Sequence, residues 1–181
     1  MATLRTTNLQ HPASAVPNLV LQADGTVDGL GAGGLVKYAS ESDDTLRSTT
    51  STTFVSGTIE IDYTPSAAGN LLLVEYDTSA ACEQVSGTPG VRRMGVRVVE
   101  VGVGTVAGVD DNSAYGFELT PGAAGFPFRF PLYISGAVPA GSTATRTYRV
   151  EFATQDTRVQ ARLNAFAPGK ISVTEINEGA I

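Results

Sequence analysis

Residues 126–134 read FPFRFPLYI, and Phe126, Phe128, Phe130, Leu132 and Ile134 fall at every second position. A period of two is that of a pleated strand with one buried face, since successive side chains point to opposite sides. Pro127 and Pro131 occupy the other face. Proline has no N–H to give a neighbouring strand, so this strand is expected at a sheet edge, or beginning with a bulge.

The same period recurs on both sides of that stretch. Ile59, Ile61 and Tyr63 alternate with Thr58, Glu60 and Asp62, and Thr64-Pro65-Ser66 with Gly69-Asn70 supplies the turn that follows. Leu71-Leu72-Leu73-Val74 is a continuous apolar run, as expected of a strand buried on both faces. Residues 91–103 are rich in valine, with Val96 and Val98 set against Arg97 and Val99. Tyr148, Val150 and Phe152 alternate with Thr147, Arg149 and Glu151; Gln155-Asp156 is expected to turn the chain into Val159, Ala161 and Leu163 as a hairpin. Residues 171–176 form the last strand. The count is about eight to ten strands with turn signals roughly every 8–12 residues, and no helical stripe of useful length. The expected fold is all-β: a single antiparallel β-sandwich, jelly-roll-like, over residues 35–181.

Composition agrees. The chain has 181 residues, 42% hydrophobic, 17% charged, with 20 glycines. The charged share is low against the roughly 25% of ordinary domains. The net charge of −6 and the lack of any Lys/Arg-rich block argue against a nucleic-acid groove, which needs a basic footprint. The single cysteine, Cys82, cannot close an internal disulfide and is expected as a small buried or loop residue. No apolar run is long enough to span a membrane, and the first residues, MATLRTTNLQHP, lack the apolar core of a signal peptide. Maturation in a reducing cytoplasm is the expectation.

Residues 1–34 read differently from the rest. Leu4, Leu9, Val16, Leu19, Val20 and Leu21 are sparse and unevenly spaced, and Pro12 and Pro17 block a helix. Gly29-Leu30-Gly31-Ala32-Gly33-Gly34 reads as a flexible joint. Such a segment is expected to be disordered or to pair with another chain.

Chemistry is hard to place. Gly29, Gly31 and Gly34 match the spacing of a dinucleotide-binding turn, but Leu35-Val36-Lys37-Tyr38 continues as a strand where the motif needs a helix N-terminus. The only histidine, His11, lies beside Pro12 with no third group to orient it, so it reads as packing or hydrogen bonding of the arm. The acidic stretches 41–44 and 109–112 read as solvated turns; neither has EF-hand spacing for Ca²⁺. Nothing selects a glycosidase carboxylate pair among 18 acids. Arg92, Arg93 and Arg129 read as solvated or inter-subunit ion pairs. No catalytic residue, metal ligand or cofactor site is expected, and the chain reads as non-enzymatic.

Three stretches carry a resemblance. Asn8-Leu9-Gln10-His11-Pro12-Ala13-Ser14-Ala15, followed by residues 18–27 (NLVLQADGTV), resembles the shaft segments of fibre and appendage proteins of tailed bacteriophages, those of marine and cyanobacterial hosts above all. Residues 48–55 (STTSTTFV) leading into 59–65 (IEIDYTP) are similar to the opening strands of their distal heads, and residues 169–176 (GKISVTEI) to the closing strand. The resemblance implies a homotrimeric virion protein, assembled in the host cytoplasm and acting as a tail fibre or host-binding appendage. Its partners would be itself, other virion proteins of the capsid or tail, and a host-surface glycan or receptor. The arm would attach through Leu4, Asn8, Leu9, His11, Leu19, Val20 and Leu21. Only about 34 residues precede the domain, whereas typical fibres carry a long shaft; a short arm with a compact head also fits a capsid decoration (cement) protein. From another class, a carbohydrate-binding module or glycan hydrolase remains, although the lack of tryptophan counts against a sugar platform.

Overall fold

The structure, a computed structural model, describes residues 8–9, 19–21, 27–28, 35–86, 91–118 and 128–177. These contain strands and no helix: β1 (Asn8–Leu9), β2 (Leu19–Leu21), β3 (Val27–Asp28), β4 (Leu35–Asp43), β5 (Arg47–Thr49), β6 (Val55–Tyr63) and β7 (Leu71–Gln84), then β8 (Val91–Glu100), β9 (Gly104–Gly108), β10 (Tyr115–Glu118), β11 (Phe128–Pro139), β12 (Arg146–Thr154), β13 (Val159–Leu163) and β14 (Gly169–Ile176). β1, β2 and β3 form a small antiparallel sheet of their own.

The remaining strands make two antiparallel sheets. One edge of β7 is taken along its length by β11, the other by β14 and β13 placed end to end. β4 and β5 then line up in the same way outside β14 and β13. In the second sheet β12 lies between β6 and β8, and β9 and β10 sit end to end on the far edge of β8. Counting each end-to-end pair as one interrupted strand gives eight rows, ordered 1-8-3-6 in one sheet and 2-7-4-5 in the other. This is the winding of a jelly roll, two Greek keys closed on one core.

The core lies between the sheets and follows the alternation. Ile59, Ile61, Tyr63, Leu132, Ile134, Tyr148, Val150, Phe152, Val159, Ala161, Leu163, Ile171 and Val173 are all buried. On β11, Leu132 and Ile134 are buried and Phe128 and Phe130 half-buried, with Pro131 exposed on the opposite face. Among the described residues β11 pairs with β7 alone, so the expected proline-bearing edge strand is present. Phe126 and Pro127 lie outside the described residues. β9 approaches the other side of β11 at Gly136, where a Cβ would collide with the Val106 carbonyl.

Three expectations are corrected. β12 and β13 are not a hairpin: β12 pairs with β6 and β8, β13 with β5 and β7, so Gln155–Arg158 carries the chain from one sheet to the other. Both strands keep their alternation because each faces the same core from opposite sides. Leu71–Val74 is not buried on both faces. Leu72 and Val74 enter the core, while Leu71 and Leu73 stay partly exposed, since among the described residues nothing covers the outer side of β7. Arg92 is not solvated; it is 3% exposed, with its Nη2 donating to the Gln84 Oε1 at 3.0 Å.

Candidate functional site

Of the residues expected to form the arm's attachment surface, Leu4 and His11 lie outside the described residues. The others are brought together by the small sheet: Asn8 opposite Val20, Leu9 opposite Leu19, and Val20 and Leu21 opposite Asp28 and Val27. The segment expected to be disordered or paired with another chain thus pairs with itself at these positions. The Gly29–Gly34 joint lies outside the described residues.

The two outer faces of the jelly roll differ in chemistry. On the second sheet, a row of charges crosses three strands, β6, β12 and β8, and reaches the loop after β9. Arg149 stands 3.5 Å from Glu60 and 2.9 Å from Glu151, and Arg97 stands 2.8 Å from Glu151 and 2.7 Å from Asp110. Strand pairing sets these contacts, because Arg149 is opposite Glu60 and Glu151 opposite Arg97. Burial alone would push the Glu151 carboxyl up; Arg97 and Arg149 on either side outweigh it and hold it below the usual carboxylate range. The Arg97 guanidinium also lies 4.1 Å over the Phe54 ring. Every charge in this row has an opposite charge beside it.

The outer face of the first sheet is built differently. Its first cross-strand row is Pro139, Leu71, Ile176 and Leu35, and the second is Ala137, Leu73, Thr174 and Tyr38. Leu35 and Tyr38 are each 49% exposed. Further along come Ser135, Glu75, Ser172 and Ser40, then Tyr133, Asp77, Lys170 and Ser42. There the face turns polar: the Tyr133 hydroxyl donates to Glu75, and the Lys170 ammonium sits 5.5 Å from the Tyr38 ring. The apolar rows lie at the end where the arm joins, since Leu35 is both the first residue of β4 and a member of the patch.

Two concavities accompany these faces. One of about 700 Å³ is lined by Thr52, Thr53, Phe54, Arg97, Asp110, Asp111 and Asn112. Its polar groups are engaged with each other: Asp110 accepts from Arg97 and Thr105, Asp111 from Ser113, and the Asn112 amide donates to the Thr52 carbonyl. The Phe54 ring is covered by Arg97 rather than open for stacking. The acidic stretch 109–112 is therefore a loop tied down by its own hydrogen bonds. The second concavity, about 340 Å³, lies between β4 and β6. It takes in part of the other acidic stretch, of which Glu41–Asp43 belong to β4 rather than to a turn.

Two buried polar clusters tie the sheets' ends. Glu175, fully buried, accepts from the Tyr63 hydroxyl, the Ser66 amide and hydroxyl, and the Asn70 amide. Asn164, between β13 and β14, accepts from Thr78 and Tyr76 and donates to the Thr45 carbonyl between β4 and β5. Both join chain segments far apart in sequence and face the interior. Cys82 is fully buried, and burial pushes its thiol up to about 12. Arg129 stacks 3.4 Å over Phe166. Among the described residues no three His, Cys, Asp or Glu side chains cluster as a metal would need.

The residues that sequence reasoning missed are those of the apolar outer rows. Their signal was the Leu71–Val74 run, which marks apolar chemistry on both faces of β7 but not what covers the outer one. Among known proteins, no family model and no curated protein matches the chain.

Proposed function

We propose that this chain is a structural subunit of a virus particle, of the tailed-bacteriophage appendage kind: a jelly-roll head that associates with copies of itself, as a trimer, and attaches to the particle through its arm. One observation carries the reading. The outer face of one sheet is laced with ion pairs, while the other presents Leu35, Tyr38, Leu71, Leu73, Pro139 and Ile176 at the root of the arm. An exposed apolar patch bordered by polar rows suits a subunit contact, and contacts of this kind recur symmetrically in homo-oligomers. Among the described residues, Glu151, Glu175 and Asn164 are engaged in holding the sandwich together.

The test has two arms. Light scattering on the full chain should give three copies; a monomer at high concentration would overturn the oligomer. Labelled antibody on purified particles, viewed by electron microscopy, should mark the tail or its appendages. Labelling spread over the capsid faces would replace the appendage reading with that of a decoration protein, and no labelling would overturn both.

A further inference from the structure

β4 pairs only with β14, and β6 only with β12, among the described residues. Each is therefore an edge strand of its sheet, and the two edges stand beside one another with the 340 Å³ concavity between them. Its floor is Ala39 and the buried Ile61; its rim is Glu41, Glu60 and Asp62. Glu60 has Arg149 at 3.5 Å and Asp62 accepts from the Thr147 hydroxyl, while Glu41 is exposed. Three carboxylates thus face one guanidinium. An open strand edge invites another strand, and this one selects a segment with an apolar side chain pointing in and a cation pointing out.

The arm contains such a segment and also one that cannot serve. Residues 23–34, which lead directly into β4, carry Asp24 and Asp28 and no Lys or Arg. Folded back on their own β4, they would set like charges against Glu41 and Asp62. Arg5 is the only Lys or Arg in residues 1–34, and no acid precedes Asp24. In Thr3-Leu4-Arg5-Thr6-Thr7 an extended backbone places Leu4 and Arg5 on opposite sides.

Resting on the assembly reading above, we infer that the groove between β4 and β6 receives the Thr3–Thr7 segment of a second copy of this chain. The segment adds as a strand, with Leu4 over Ala39 and Ile61 and Arg5 against the acidic rim. This names the surface on which the arm docks and makes the contact between copies heterologous, arm to edge.

Cysteine cross-linking on the full chain tests it, because the native Cys82 is fully buried and silent. Chains carrying Thr7→Cys and chains carrying Ser40→Cys, purified separately, mixed and oxidised, should form a disulfide between copies. Arg5→Glu or Glu41→Arg alone should each lower the yield about fivefold, the scale of an exposed ion pair made repulsive, and the two together should restore it. A bond that forms only within one chain carrying both cysteines would overturn the inference in favour of self-docking. No bond in either experiment would overturn it outright, as would a yield indifferent to the charge reversals. Cross-linking without particle labelling would sink the virion reading and leave the groove; particle labelling without cross-linking would do the reverse.

Discussion

The Tyr63 hydroxyl donates a 2.9 Å hydrogen bond to the Glu175 carboxylate, joining β6 of one sheet to β14 of the other inside the sandwich. The same carboxylate accepts from Ser66 and Asn70, so it also holds the loop between β6 and β7. Burial and the adjacent carboxylate push the Tyr63 phenol well above its ordinary range, so it keeps its proton to donate. Burial would raise the Glu175 carboxyl as well, but the donors from Ser66, Asn70 and Tyr63 outweigh it and hold it below the usual range.

Glu175→Gln sets an amide donor among donors and should cost about 3 kcal/mol at neutral pH. Because the folded carboxyl titrates lower than the unfolded one, its contribution is complete above the unfolded value of about 4.3 and is lost as pH falls through the folded value. Thermal midpoints of both proteins across pH should show the gap narrowing below about pH 4. A gap independent of pH would contradict the ionised assignment.

Asn164 sits at φ 57° where the β13/β14 row breaks, opposite the break between β4 and β5. Asn164→Ala loses the bonds to Thr45, Tyr76 and Thr78 and keeps an unfavourable backbone, at about 3 kcal/mol. Asn164→Gly loses the same bonds but tolerates positive φ, and should be less destabilised by about 1 kcal/mol. Urea unfolding of the pair reads the difference; equal losses would mean that the backbone conformation contributes nothing.

Thr58 has φ 64° in β6, where the register with β12 shifts. A β-branched residue is strained there, and its side chain is exposed. Thr58→Asn should raise stability by about 0.5–1 kcal/mol, whereas Thr58→Val should not. Denaturant midpoints decide it, and a gain from valine would argue against backbone strain as the cause.

The Cys82 thiol should resist maleimide and disulfide reagents in the native protein, since burial both shields it and pushes it up to about 12. Labelling should appear only with the unfolding transition. Fast native labelling at neutral pH would mean that the sandwich opens locally around β7.

Leu35→Ser combined with Tyr38→Ser changes side chains that are half-exposed on the outer face. The thermal midpoint should move by only a few degrees, about the effect of 1 kcal/mol, while the oligomer dissociates on light scattering. An unchanged oligomer would place the subunit contact elsewhere.

The strands were largely legible because alternation is a local property. Ile59-x-Ile61-x-Tyr63 or Tyr148-x-Val150-x-Phe152 states which side faces inward wherever the strand is later placed. The candidate surfaces were legible only in part. The apolar run at Leu71 announced chemistry on both faces of β7, and the wrong inference was that a second layer covers both.

Composition and periodicity, read by themselves, determined an all-β sandwich, a proline-bearing edge strand at β11, and the inward side of β6, β12 and β13. Tertiary structure alone decided that the turn after β12 crosses between sheets, that Arg92 is buried, and that Leu71 and Leu73 face out beside Leu35. It also decided that Glu175 meets Tyr63 across 112 positions of chain and that β4 and β6, each an edge among the described residues, frame an acidic groove. The reason is physical: facing is set by neighbours two residues away, whereas pairing and stacking are set by residues far off in sequence, whose meeting no local pattern records.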